Sequence, residues 1–211
     1  MFSGILDYQA FLISALVFAI TPGLDTAFVL NKALGTGRKA ALAGACGVNA
    51  GILVHTAVGA LGLSAVLATS AQAFAVIKYA GAAYLVYLGI RALMAKSDTA
   101  RFVHGAPQAE SVFKSFEAGL IANVLNPKVA LFVLAFFPQF IDPTYAAGPR
   151  PFLVLGVSYA AVGLIWYLCL AWFAGGLGET LRQKPMFETW MNRASGIVFI
   201  LLGAKIAMTE R

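Results

Sequence analysis

The chain carries two prolines that each interrupt an apolar stretch long enough to cross a bilayer. They stand at matching places in its two halves. The first interruption reads Thr21-Pro22-Gly23-Leu24-Asp25-Thr26 and the second Asn123-Val124-Leu125-Asn126-Pro127-Lys128. Pro22 and Pro127 lie 105 residues apart in a chain of 211. A proline supplies no N–H, so each frees a carbonyl one turn earlier. In hydrocarbon an unpaired backbone group costs several kcal/mol, so irregular backbone survives only where it lines a cavity or packs against protein. Broken helices at corresponding points of two halves are the pattern of a transporter's binding site.

The composition agrees with a membrane setting. Hydrophobic residues make up 60% and charged residues 11%, and the mean hydropathy is +0.82. Soluble domains carry about 25% charged residues, so this chain has too few charges to solvate a globule of its size. The net charge of +6 does not point to nucleic acid, because the Lys and Arg sit at helix ends instead of clustering on a soluble segment. Cys46 and Cys169 fall inside apolar runs without metal-type spacing and read as small packing residues. The first eight residues hold no Lys or Arg, so the first apolar segment reads as a retained helix and not a cleaved signal.

Six spans follow from the apolar runs: 8–34, 40–67, 74–95, 113–140, 152–177 and 187–208. Each reaches the roughly 20 residues that a bilayer core requires. Five spans, with one shorter segment lying on the surface, is the alternative. The polar stretch 96–112 reads as a linker between two three-helix repeats, 1–95 and 113–211, and His104 within it as a solvated loop residue. The third and sixth spans end alike, in Gly89-Ile90-Arg91-Ala92-Leu93-Met94 and Gly203-Ala204-Lys205-Ile206-Ala207-Met208. Three spans per repeat is an odd number, so the second copy enters the membrane from the opposite side. The expected fold is therefore an all-α membrane protein, six transmembrane helices in a 3+3 inverted-topology repeat with helices 1 and 4 broken at proline.

Orientation follows from the basic residues. The loops after spans one, three and five hold ten: Lys32, Arg38, Lys39, Arg91, Lys96, Arg101, Lys114, Arg182, Lys184 and Arg193. The other side holds four, Lys78, Arg150, Lys205 and Arg211. The positive-inside bias places the ten in the cytoplasm and both termini in the periplasm. A Gly-x-x-x-Gly in the second span, Gly47 to Gly51 with Gly44 one turn earlier, marks close packing inside the bundle or between the subunits of a homo-oligomer.

Ionisable residues at mid-bilayer cost ~2.5–3.5 kcal/mol on insertion scales and call for a reason. Lys128 lies twelve residues from Phe116 and fourteen from Asp142, roughly 18 and 21 Å along a helix, too far for its stem to snorkel. Asp25 either caps the second half of its helix or serves the site, and one residue can do both. Lys128 either partners a broken-helix carbonyl or Asp25, or meets a ligand. Asn123 and Asn126 share a helix face and either stabilise the kink or contact ligand. Two half-helix N-termini approaching from opposite sides offer a site for a carboxylate. Asn49, His55 and Tyr159 are candidates to line the pocket, although a lone His in an apolar helix more often bonds a neighbour. Trp166, Tyr167 and Trp172 read as packing and interface aromatics.

Thr21-Pro22-Gly23-Leu24-Asp25-Thr26 resembles the Thr-Pro-Gly-Pro-Asn/Asp-Thr signature of the LysE/RhtB amino-acid exporters. Asn126-Pro127-Lys128 with Phe137-Pro138-Gln139-Phe140 is similar to that family's Asn-Pro-Lys and Phe-x-Pro-Gln-Phe region. Tyr79-Ala80-Gly81-Ala82-Ala83-Tyr84-Leu85 with Tyr87-Leu88-Gly89 resembles its third helix. Leu24 departs from the pattern where the family more often has a second proline. The resemblance implies export of amino acids or derivatives, of the homoserine, threonine or lysine kind, from the bacterial cytoplasm across the inner membrane, driven by protons. The expected partners are an amino-acid-like small molecule, protons and the lipid bilayer. The expected substrate residues are Thr21, Pro22, Gly23, Asp25, Thr26, Asn123, Asn126, Pro127 and Lys128, without a cofactor or metal. A membrane-embedded enzyme would need a nucleophile or metal constellation that the sequence does not offer, neither a Ser/His/Asp set nor a His-Glu-x-x-His. A structural membrane protein would leave two costly buried charges at symmetric breaks unexplained.

Overall fold

A computed structural model describes residues 4–63, 71–95, 110–145, 148–183 and 185–208. Most of the expected linker, the end of the second span, Lys184 and Arg211 lie outside the described residues. The described chain is helical throughout, and its one β feature is an isolated antiparallel bridge between Ile5 and Ile141.

The first span is a bent pair. α1 (Tyr8–Ile20) is capped by Asp7, whose carboxylate accepts from Ala10 N, and α2 (Leu24–Gly35) follows at an angle of 50°. After a turn at Gly37, whose φ of 107° favours glycine, α3 (Arg38–Val58) runs into a π-helical turn, Gly59–Leu63. α4 (Ala71–Met94) completes the first half.

The second half opens with another bent pair. α5 (Val112–Val124) has Ser111 as its cap and the same 13-residue length as α1. The chain then turns by 52° into α6 (Pro127–Leu131), a π-helical turn (Phe132–Phe136) and a 3-10 turn (Phe137–Phe140). α7 (Arg150–Gln183) and α8 (Pro185–Met208) finish the fold. α7 runs six residues past the expected end of the fifth span. Among the described residues, four helices are long and apolar enough to cross a membrane, and the number rises to six if each bent pair counts as one span.

Lipid gives helices no hydrophobic reason to associate, so close approach of small residues has to hold them. A Cβ on Gly47 would strike the Phe116 carbonyl, and one on Gly119 would strike that of Gly44. The α3 glycine stripe is therefore used inside the bundle, against α5. α4 and α8 pack antiparallel: Gly89 lies against Gly196, and Gly203 against Ala82. Cys46 and Cys169 are exposed on the outer face of their helices and not packed inside, which corrects the packing role expected for them.

Two cores result. One is aromatic, with Phe11, Phe18, Phe132, Phe136, Phe137 and Tyr159, and Phe18 stacks on Phe132 at 3.8 Å between ring centroids. The other is aliphatic around Val29, Leu30, Val48, Tyr167 and Leu170. Phe18 of the first core and Tyr167 of the second both line one recess. Outside the cores, Lys32 at the end of α2 pairs with Glu110 ahead of α5, and Arg38 lies 4.6 Å from the Trp172 ring.

Candidate functional site

The recess sits at the first break. It is lined by Phe18, Thr21, Gly23, Leu24, Asp25, Thr26, Asn126, Lys128 and Tyr167. Six of the residues expected from sequence thus line one cavity, although they come from both halves of the chain.

The backbone at the break sets its chemistry. Thr21 ends α1, and its hydroxyl turns back to Val17 O at 2.6 Å. Gly23 is the N-cap of α2 and, having no side chain, leaves the cap unfilled. Its φ of −158° is ordinary extended backbone, so the glycine serves room rather than conformation. A Cβ there would lie 3.4 Å from Lys128 Nζ. The first amides of α2 keep the exposed N–H groups and partial positive charge of a helix start.

The second break is closed differently. Asn126 caps α6, its Oδ1 accepting from Lys128 N at 3.0 Å. The expected pair of open helix N-termini is therefore asymmetric: side-chain capping is missing at α2 and present at α6. The sequence could not separate the two, because Asn126 caps and Gly23 does not only once the backbone places them at N-cap positions.

Lys128 begins in the second half and works in the first. Its Nζ makes a long hydrogen bond to Thr21 O, at 3.4 Å, and lies 4.5 Å from the Phe18 ring centroid and 5.9 Å from that of Phe199. These close contacts are a carbonyl and two aromatic faces; the Asp25 carboxylate acts on the ammonium through space, without a salt bridge. Cation–π contacts of this kind contribute roughly 0.5–2 kcal/mol.

Asp25 is buried in the first turn of α2. It does not cap that helix. Its Oδ2 accepts from Asn123 Nδ2 at 3.0 Å, across the two halves, the Asn126 side chain also lies beside the carboxylate, and Oδ1 makes no hydrogen bond of normal geometry. Thr26, also buried, leaves its Oγ1 without a partner as well. Two buried acceptors in the recess lining are thus open to a donor.

The remaining candidates surround the recess without lining it. Pro22 and Pro127 shape the backbone, and Pro127 itself is exposed. Asn49 donates back to Ala45 O at 2.8 Å and turns its Oδ1 towards Gly163 of α7. His55 bonds the Asn123 carbonyl at 3.1 Å. Tyr159 is packed in the aromatic core against Phe18, Phe132 and Phe137. The tyrosine of the recess is Tyr167, which sequence reasoning read as packing. Phe18 and Phe199 were not singled out. Phe18 was findable, one turn before Pro22, but Phe199 reaches Lys128 from α8 and leaves no local signal. Among the described residues, His, Cys, Asp and Glu side chains nowhere gather in threes to hold a metal ion.

Comparison with known proteins gives this geometry a lineage. The model of the LysE type translocator family matches residues 16–210. An uncharacterized membrane protein of Vibrio cholerae is 36% identical over 208 residues, covering 96% of this chain and 97% of that one. A homoserine/homoserine lactone efflux protein of Salmonella typhi is 30% identical over 198 residues, 94% of each chain. A leucine efflux protein of Salmonella choleraesuis is 29% identical over 210 residues, 98% of this chain and 97% of that one. No solved structure matches. With the family model covering both breaks and every residue of the recess, the chain belongs to the LysE type translocator family.

Proposed function

We propose that the chain exports a small amino acid or derivative from the bacterial cytoplasm, across the inner membrane, in exchange for protons. One observation carries this reading: a lysine that makes no salt bridge among the described residues and two buried oxygens without a hydrogen-bond partner belong to one recess at a helix break. A substrate carboxylate fits between Lys128 and the uncapped amides of α2. A substrate ammonium fits Asp25 Oδ1 and Thr26 Oγ1. Homoserine, homoserine lactone and leucine, the cargoes in the relatives' names, have different side chains and share an amino group. A site that reads the shared ammonium, with Lys128 and the α2 amides donating to a carboxylate or to a lactone carbonyl, accounts for that spread.

The 3+3 inverted repeat is part of the proposal, with repeats 1–95 and 113–211 joined by 96–112. The equal bends support it, as does the exchange of contacts between α4 and α8. Pairing Gly89 with Gly203 by sequence pairs Ala82 with Gly196, and the contacts Gly89–Gly196 and Ala82–Gly203 then interchange. Both termini lie in the periplasm by the charge count. A periplasm-active reporter fused after Arg211 is expected to be active, and a cytoplasmic fluorophore there silent. The reverse pattern means a five-span fold or a misread loop.

In this mechanism Asp25 meets the ammonium on one side of the membrane and a proton on the other. One charge moved through the field is worth ~2.3 kcal/mol per 100 mV, roughly a 50-fold gradient for one proton per substrate. Asp25→Asn keeps the shape and the contact to Asn123 but removes the proton site. In proteoliposomes it is expected to retain exchange of labelled homoserine or leucine and to lose uphill transport driven by an imposed proton gradient. Uphill transport by Asp25→Asn places the coupling elsewhere.

A further inference from the structure

Pro127 orphans one carbonyl in particular. In an unbroken helix the N–H of residue 127 would bond the carbonyl of residue 123, and proline has no N–H to give. The Asn123 carbonyl therefore needs other donors at membrane depth, where leaving it bare is costly. It has two: Asn126 N at 2.9 Å and, from the other repeat, His55 Nε2 at 3.1 Å. For the second bond His55 must carry its proton on Nε2.

The same asparagine aims Asp25. Its Nδ2 donates to Asp25 Oδ2, which leaves Oδ1 as the open acceptor. The α3 surface beneath it is shaped to receive it. Gly51 and His55 are four residues apart and share a helix face. A Cβ on Gly51 would meet Asn123 Oδ1 at 2.5 Å and Asn123 Cβ at 2.7 Å. Asn123 thus lies on a bare strip of α3 with the His55 ring at its end, held by its carbonyl on one side and holding Asp25 on the other.

We infer that His55 is a positioning residue for the substrate site. It does not line the recess and makes no hydrogen bond to Asp25, although the two are near enough to interact electrostatically, an effect that the uncharged Gln of the test below does not supply. It fixes the backbone of Asn123, and Asn123 fixes the direction of the Asp25 carboxylate. The inference rests on the reading of Asp25 as the ammonium and proton site.

Substitution separates this role from simple packing. His55→Leu removes the donor, and His55→Gln places an amide N–H where Nε2 was. In counterflow of labelled leucine and homoserine by proteoliposomes, His55→Leu is expected to raise KM about tenfold, with the maximal rate within about twofold of the parent. His55→Gln is expected to restore KM to within about threefold. Because His55 acts through Asp25, His55→Leu is expected to change KM less than twofold when added to Asp25→Asn. An unchanged KM in His55→Leu, failed rescue by Gln, or an undiminished effect in the Asp25→Asn background each overturns the inference. If His55→Leu does not insert, Gly51→Ala replaces it, since it keeps the ring and displaces Asn123. It is expected to raise KM similarly, and an unchanged KM again overturns the inference. Asp25→Asn alone reports on the underlying reading: if it leaves both KM and proton coupling intact, that reading fails, whatever His55 does.

Discussion

At the first break α2 starts from a glycine with no cap, beside an aspartate with one open oxygen and a lysine borrowed from the other half. At the second break α6 starts from an asparagine that caps its own helix, and the orphaned carbonyl is covered by a histidine from the other half. The bends are nearly equal, 50° and 52°, so the geometry of interruption is the same. What differs is how completely the exposed backbone is satisfied. A buried polar group left unmatched is expensive; the two that belong to the recess lining, Asp25 Oδ1 and Thr26 Oγ1, lie at the first break, whereas Asn123 Oδ1, unmatched at the second, lies against Gly51 and not in the recess. In the proposed function the second break is scaffold and the first is the place for a ligand.

The sharpest way to break this comparison is to remove the lysine that reaches from the second break into the recess at the first. Lys128→Ala is expected to abolish export, by at least about a hundredfold, while the protein still inserts and accumulates. Lys128→Arg is expected to fail as well, because a planar guanidinium presents its donors in a different geometry from an ammonium and has to fit between Phe18, Phe199 and Gly23. Transport by proteoliposomes checks both, and near-parental rates for Lys128→Ala would remove the lysine from the site.

A smaller effect is expected from the scaffold itself. Asn126→Ala deletes the cap of α6, and losing such a cap costs about 1 kcal/mol. Thermal stability in detergent is expected to fall modestly and transport by no more than a few-fold. A complete loss of transport with unchanged stability would mean that Asn126, which borders the recess, serves the ligand more than the helix.

How much of this was legible in the sequence depends on whether the signal is local. Pro22 and Pro127 announce themselves, because a missing N–H in an apolar run has few tolerable explanations. Their neighbours Thr21, Gly23, Asp25, Thr26, Asn126 and Lys128 came with them and do line one recess. The glycine stripe on α3 was visible, but its partner was not. Only the fold places Gly47 against Phe116 rather than against another subunit. Tyr159 and Tyr167 stand eight residues apart on α7, and periodicity does not say which of them faces the recess. The asymmetry of the two breaks was hidden too, because whether an asparagine or a glycine occupies an N-cap depends on one residue of register.

The most direct test compares the breaks in one experiment. Leu24 and Leu125 are the strongly exposed leucines at the two breaks, 65% and 74% accessible, and Leu24 borders the recess while Leu125 does not. In a chain whose Cys46 and Cys169 have been replaced by alanine, single variants Leu24→Cys and Leu125→Cys can be labelled with N-ethylmaleimide in proteoliposomes. Saturating leucine or homoserine is expected to slow labelling at position 24 several-fold and to leave position 125 unchanged. Protection at 125 without protection at 24, or equal protection at both, would contradict the assignment of the first break as the substrate site.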